Sequence, residues 1–133
     1  MSSSEILQAF NAHFIEFVDD IIRIFPDDLD IQTAKNFFIM VKKANPRLII
    51  IKWQKYVVST YGDEIDNGNI DFFINKDYRS DLQASSNPEK IINSIERLRD
   101  SIKQMDTDNL DKAIKYIQNL KNLSTVYFSN KHD

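Results

Sequence analysis

The chain has no cysteine and only two glycines and three prolines in its 133 residues. The lack of cysteine excludes disulfides, thiolate metal sites and cysteine nucleophiles. So few turn-forming residues are incompatible with a sandwich or barrel of many short strands. The longest apolar runs, 37–41 and 48–51, are too short to span a membrane, and the first residues show no basic and apolar leader pattern. We therefore expect one helical domain without membrane insertion.

Two amphipathic helices are predicted in the first third of the chain. Ser2-x-x-Glu5 has the spacing of a capping box, and apolar residues at intervals of three and four follow it up to Pro26. Three aspartates within residues 27–30 can cap a second helix, which starts at about residue 31 and ends before Pro46.

A third helix is predicted in the middle of the chain. Asn45-Pro46 is typical of an N-cap followed by proline at the first helical position, and helical spacing continues to Tyr61. The β-branched run 48–51 also fits a buried strand, but no partner strand is visible, so a helix is favoured. Gly62 is placed to end this helix, and residues 66–68 predict a turn before a short helix or turn that fills the core.

The last third of the chain predicts a helical hairpin. Residues 82–86 are polar and small, as in a linker, and Asn87-Pro88 again suits a helix start. Apolar stripes then indicate one helix up to about Met105 and another that starts near Thr107. We predict an all-α fold, a compact bundle of five to six helices that ends in this antiparallel hairpin. The predicted domain has two parts, the main bundle over 1–82 and the hairpin over 87–128.

Charge is segregated along the sequence, although the net charge is only −3. Residues 1–30 carry seven acidic and one basic side chain, residues 31–62 carry six basic and no acidic ones, and residues 63–133 carry thirteen acidic and ten basic ones. The opposite charges can flank the packing of the first helix against the next two, where an exposed pair contributes about 0–1 kcal/mol. Alternatively, the basic stretch is a contact surface for an acidic protein face or a phosphate backbone.

Five cations of this stretch are candidate partner-binding residues: Lys42, Lys43, Arg47, Lys52 and Lys55. Trp53 and Tyr56 lie among them, and aromatic rings beside cations are typical of proteins that stack single-stranded nucleic acid. The same two rings, however, belong to the apolar stripe of the predicted helix, and the isoelectric point of about 5.4 is acidic. We expect a protein partner, with nucleic acid as the alternative.

Residues suited to catalysis or metal binding are scarce. The two histidines, His13 and His132, are far apart, and His13 with Glu16 and Asp20 forms only part of a metal-ligand pattern on one helix face. Residues 63–68 resemble a calcium loop superficially, but the third position is apolar and loop position twelve is not glutamate. We predict no catalytic, cofactor-binding or metal-binding residues and no enzyme activity.

The central part of the chain resembles a group of viral proteins. The resemblance covers about residues 30–82 and is carried by these motifs: Asp30-Ile31, Ala34-Lys35, Lys43-Ala44-Asn45-Pro46-Arg47-Leu48-Ile49-Ile50, Trp53, Tyr56-Val57, Tyr61, Ile65, Phe72-Phe73-Ile74-Asn75-Lys76-Asp77-Tyr78 and Asp81-Leu82. In them the chain is similar to small uncharacterised helical proteins encoded by large nucleocytoplasmic DNA viruses, including those of algae. The resemblance brings no catalytic motif with it.

What the resemblance implies is a setting rather than a reaction. It implies a minor capsid or other virion protein. Together with the segregated charge, this leads us to expect a subunit that bridges larger capsid or virion components through its acidic and basic faces. The virion is then the expected location, or otherwise the host cytoplasm, where an intracellular regulatory adaptor is the alternative role.

Three aromatic residues complete the candidate partner-binding set: Phe72, Phe73 and Tyr78. They either fill the core beside a solvated polar flank or form an exposed aromatic anchor for a partner. The sequence leaves both interpretations open.

Overall fold

The structure is a computed structural model that describes residues 2–69 and 88–129, and every regular element in them is helical. The predicted all-α bundle is therefore confirmed, and the run 48–51 lies in a helix rather than a strand. The predicted linker 82–86 lies outside the described residues. The elements in chain order are α1 (Ser3–Ile24), α2 (Leu29–Ala44), α3 (Leu48–Trp53), a π-helical segment (Gln54–Val58), α4 (Ser59–Asp66), α5 (Pro88–Lys103) and α6 (Thr107–Ser129).

The helix starts follow the capping signals in the sequence. At α1, the Ser2 hydroxyl accepts from the Glu5 backbone N–H and the Ser2 backbone N–H donates to the Glu5 carboxylate, both at 3.2 Å. The hydrogen bond from the Ser2 backbone lowers the pKa of Glu5, because it favours the charged carboxylate. At α2 the Asp28 carboxylate accepts from two N–H groups of the first turn. Asp106 does the same at α6 with one N–H group.

The central helix of the bundle is α1, which packs against α2, α3, α5 and α6. Its buried face is largely aromatic and aliphatic, as its periodicity predicted, and includes Phe10, Phe14 and Phe17. The helices α5 and α6 follow one another across residues 104–106. Each packs mainly on the N-terminal helices, α6 on α1 and α5 on α2, so the two ends of the chain share one hydrophobic core.

The segment from α3 to α4 is a single bent path rather than a helix that ends at Tyr61. A π-helical turn joins α3 to α4, and Tyr61 has non-helical dihedrals (φ −123°, ψ 18°). Near this bend the Ser59 hydroxyl donates to the Lys55 carbonyl at 2.5 Å, a local bond that competes with the helical pattern. The break in the helix thus lies at Tyr61, where the helix was predicted to end. Gly62, however, does not have the left-handed conformation of a terminating glycine, and helical turns continue to Asp66.

Gly68 ends α4 instead, because it adopts the left-handed conformation that side chains disfavour (φ +75°). Its N–H donates to the Ile65 carbonyl at 3.0 Å, and the Asn69 N–H donates to the Glu64 carbonyl at 2.8 Å. This pair of bonds is a Schellman motif, which satisfies carbonyls that the helix leaves open.

We predict that alanine substitutions at the two glycines change the stability in opposite directions. Gly68→Ala should lower the free energy of unfolding by about 1 kcal/mol, because alanine is strained at this positive φ. Gly62→Ala should raise it by about 0.5–1 kcal/mol, because alanine is the better helix former. Of the described residues, the added methyl at Gly62 would meet only the Lys121 side chain, at 3.7 Å. Urea unfolding of both variants measures the two changes, and equal signs would contradict the assignment of the helix end.

Candidate functional site

Three basic side chains surround the turn between α2 and α3, and we call them the basic corner: Lys42, Lys43 and Arg47. The two lysines lie in the last turn of α2, and Arg47 immediately precedes α3. Lys43 and Arg47 are exposed and Lys42 is half-buried. Positive charge is favourable at this helix end, because its open carbonyls carry a partial negative charge.

A buried side chain of α1 holds this turn in place. The Asn11 amide donates from Nδ2 to the Pro46 carbonyl at 2.8 Å, and the exposed fraction of Asn11 is 4%. The Asn45 side chain accepts from the Arg47 N–H at 3.2 Å, so the turn is closed before the helix begins. As a result α3 begins at Leu48, two residues later than the predicted proline start. The basic corner is thus attached to the central helix.

Two further cations lie against one aromatic ring, and we call this group the lysine–tyrosine cluster: Lys52, Lys55 and Tyr56. The Nζ atoms of Lys52 and Lys55 lie 5.5 and 5.2 Å from the centroid of the Tyr56 ring. Both distances are within the range of a cation–π contact. The ring is half-buried, and it keeps the two like charges close together beside α3 and the π-helical segment.

Pairing with acidic residues divides the basic stretch into two groups. Lys35 lies 2.6 Å from Asp19 of α1, so its charge flanks the packing of α1 and α2, as the first interpretation expected. Ion pairs with carboxylates within 4.0 Å are not found for the basic corner or the lysine–tyrosine cluster among residues 2–69 and 88–129. Five of the six cations are therefore not neutralised by the described part of the chain.

Trp53 is part of the core and not of this basic surface. Its exposed fraction is 7%, and its ring lies edge-on to Phe10 with 6.3 Å between centroids. Of the two aromatic residues considered for base stacking, Tyr56 alone is partly accessible. The other aromatic candidates, Phe72, Phe73 and Tyr78, lie outside the described residues.

A polar cleft of about 350 Å³ between α2 and α5 was not predicted from the sequence. Asp30 of α2 and Arg97 of α5 form an ion pair of 3.5 Å within it, and Glu96 and Asp100 also line it. These residues are more than sixty positions apart, so no sequence motif could have indicated the cleft. Its carboxylates outnumber its single cation, and we call it the acidic cleft.

A second polar cluster joins α1 to α6. The Tyr116 hydroxyl donates to the Glu16 carboxylate at 3.2 Å, and its ring lies 4.9 Å from that of His13 and 5.2 Å from that of Phe17. Burial raises the pKa of Tyr116, and the nearby negative charge of Glu16 adds to the effect. His13 and Glu16 therefore serve helix packing here.

The described residues include no group of three or more histidine, aspartate or glutamate side chains that could hold a metal ion. Among the helices in residues 2–69 and 88–129, none is long and apolar enough to cross a membrane. Comparison of the chain with known protein families, with curated proteins and with solved structures found no match.

Proposed function

We propose that the chain is a non-enzymatic interaction subunit that binds an acidic protein surface through the basic corner and the lysine–tyrosine cluster. The observation that supports this proposal is the absence of carboxylate partners for these five cations in the described part of the chain. Lys35 of the same stretch, by contrast, is paired. Cations that a chain does not neutralise itself can complement an acidic partner and accelerate the encounter with it.

The setting that we propose is a virion, in which the chain bridges larger proteins as a minor capsid or other structural component. The support for this setting is the resemblance of residues 30–82 to viral proteins. Quantitative mass spectrometry of purified, nuclease-treated particles of the encoding virus tests it. We expect a fixed ratio to the major capsid protein. Absence from particles would reject the virion setting and favour a regulatory adaptor in the host cytoplasm.

Nucleic acid is the second candidate partner, because Lys52 and Lys55 lie beside an aromatic ring. Binding of single strands usually combines a basic groove with several rings on which successive bases stack. Here Trp53 is buried, so of the two rings within the described basic stretch considered for stacking, Tyr56 alone is partly accessible, and the whole chain carries a net charge of −3. These features favour a protein partner.

Charge reversal at the basic corner should weaken binding to an acidic probe. We expect the triple variant Lys42→Glu, Lys43→Glu, Arg47→Glu to bind labelled polyglutamate roughly tenfold more weakly, since each exposed pair contributes up to about 1 kcal/mol. Fluorescence anisotropy at about 0.1 M salt, where the Debye length is about 10 Å, measures the affinity.

A matched control reverses three exposed lysines elsewhere, Lys103→Glu, Lys112→Glu and Lys115→Glu, and changes the net charge equally. We expect its affinity to fall by less than about twofold, since screening limits the distance over which a charge acts to about a Debye length. Equal losses in both variants would contradict a local binding surface.

The nucleic-acid alternative is tested with oligothymidylate in the same assay. Tighter binding to oligothymidylate than to polyglutamate would favour nucleic acid. In that case five phosphate contacts would give a slope of about −3.5 when the logarithm of the binding constant is plotted against the logarithm of the salt concentration.

A further inference from the structure

The two ends of α2 carry opposite charge. Its N-terminal end holds Asp27, Asp28 and Asp30, and its C-terminal end holds the basic corner. A helix of 16 residues is about 24 Å long. This length is about three times the Debye length of roughly 8 Å at physiological salt, so the two ends barely attract one another within one chain.

The helix dipole accounts for only a small part of this charge. It is equivalent to about half an elementary charge at each end, whereas three acidic side chains lie at one end and three basic side chains at the other. The acidic end is extended by the acidic cleft, where Asp100 lines the same surface as Asp30 and the two carboxylates exceed the charge of Arg97. The side-chain charge at each end of α2 therefore exceeds the charge that would balance the helix dipole.

We infer that the acidic surface that receives the basic corner belongs to a second copy of this chain. The basic corner of one copy docks at the acidic cleft and the Asp27–Asp30 end of α2 in the next copy. This inference rests on the proposed function and names its partner. The charge complementarity supports it, because α2 carries the basic corner at one end and lines an acidic cleft of about 350 Å³ at the other.

The contact can be satisfied in two kinds of assembly. It can repeat from copy to copy, which gives a ring or an open filament, or it can form twice in an antiparallel pair of copies, which gives a two-fold dimer. Sedimentation of the full chain should therefore show an average mass that rises above 15.6 kDa with concentration at low salt. The mass should return to that of the monomer when salt rises from about 0.01 M to about 1 M, since the Debye length falls from roughly 30 to 3 Å.

Two charge-reversed variants test the specificity of the contact. The corner variant carries Lys42→Glu, Lys43→Glu and Arg47→Glu, and the cleft variant carries Asp27→Lys, Asp30→Lys and Asp100→Lys. Asp28 is kept because its carboxylate caps α2. Each variant alone should remain monomeric, because its two docking patches have the same sign. An equimolar mixture should associate, because each basic patch then meets an acidic one. Circular dichroism confirms that both variants are folded.

The outcomes separate this inference from the proposed function. A wild-type chain that stays monomeric at low salt, or a mixture of the variants that does not associate, would overturn the inference. Association of the corner variant alone would also contradict it. Polyglutamate binding is measured on the same samples. If the monomeric wild type still binds polyglutamate through the basic corner, the proposed function stands and its partner is another protein. If it does not bind, both proposals fail.

Discussion

Phe10→Ala is expected to lower the free energy of unfolding by about 3–5 kcal/mol, a large share of the roughly 5–15 kcal/mol of a typical domain. Phe10 is fully buried in the central helix, and its ring lies 6.3 Å from the rings of both Phe14 and Trp53. Truncation to alanine removes the transfer free energy of the ring and leaves a cavity where α1 meets α3. Phe14 is itself held against the ring of Phe38, with 4.9 Å between centroids, so the cavity closes only in part.

Urea unfolding followed by far-UV circular dichroism measures this change. With a slope of about 2 kcal/mol per molar urea, the midpoint should fall by roughly 2 M. Trp53 is the only tryptophan, so its fluorescence reports the same transition from the neighbouring helix. The control is Met40→Ala, since the exposed fraction of Met40 is 56% and the change should be within about 0.5 kcal/mol. Truncation of a core phenylalanine usually costs about 3–5 kcal/mol. A loss of less than about 1 kcal/mol would therefore show that Phe10 is not central to the packing.

Asn11→Asp is expected to destabilise the fold by about 3–5 kcal/mol at neutral pH, although the two side chains have nearly the same shape. The substitution replaces the Nδ2 donor by a carboxylate oxygen that faces the Pro46 carbonyl at a site with an exposed fraction of 4%. The Oδ1 atom of Asn11 is already buried without a hydrogen-bond partner, so neither oxygen of the carboxylate would be well solvated. The turn that carries the basic corner would lose its attachment to α1.

The effect of this variant should depend on pH. Burial raises the pKa of the introduced carboxyl above its unfolded value of about 3.9. The penalty from the charge is therefore absent well below the unfolded pKa, where the group is neutral in both states, and it grows as pH rises from the unfolded pKa of about 3.9 towards the raised folded pKa. The difference in unfolding free energy between wild type and variant, measured from about pH 4 to about pH 7, should increase with pH. Asn119→Asp, at an exposed position of α6, is the control and should show no such trend.

Most of the helices and their ends follow from local sequence signals. The capping box at Ser2, the aspartate cap at Asp28 and the proline start at Pro88 each depend on residues within one turn of the helix end. The buried faces of α1 and α2 follow the period of their apolar residues. These features can be predicted from the sequence because the capping or apolar residues lie within a few positions of the helix end or face that they determine.

The bent segment from α3 to α4 shows where local signals fail. Gly62 and Gly68 both fit a helix end, but the backbone is left-handed at Gly68 and not at Gly62, where the path bends at Tyr61 and continues to Asp66. The far end of α4 is held by α6, where Gln118 donates to the Ile65 carbonyl at 2.9 Å and Lys121 pairs with Asp66 at 2.7 Å. These contacts join residues more than fifty positions apart, so they are invisible to local reasoning.

The sequence by itself determined the helical class of this protein, its caps and the separation of its charge into an acidic and a basic stretch, because composition, periodicity and charge are properties of neighbouring residues. Only the tertiary structure decided which charges pair and which do not. It paired Lys35 with Asp19, placed Trp53 in the core and attached the basic corner to α1 through Asn11. It also assembled the acidic cleft from α2 and α5. Pairing and burial depend on how distant helices pack, and packing is a property of the whole fold.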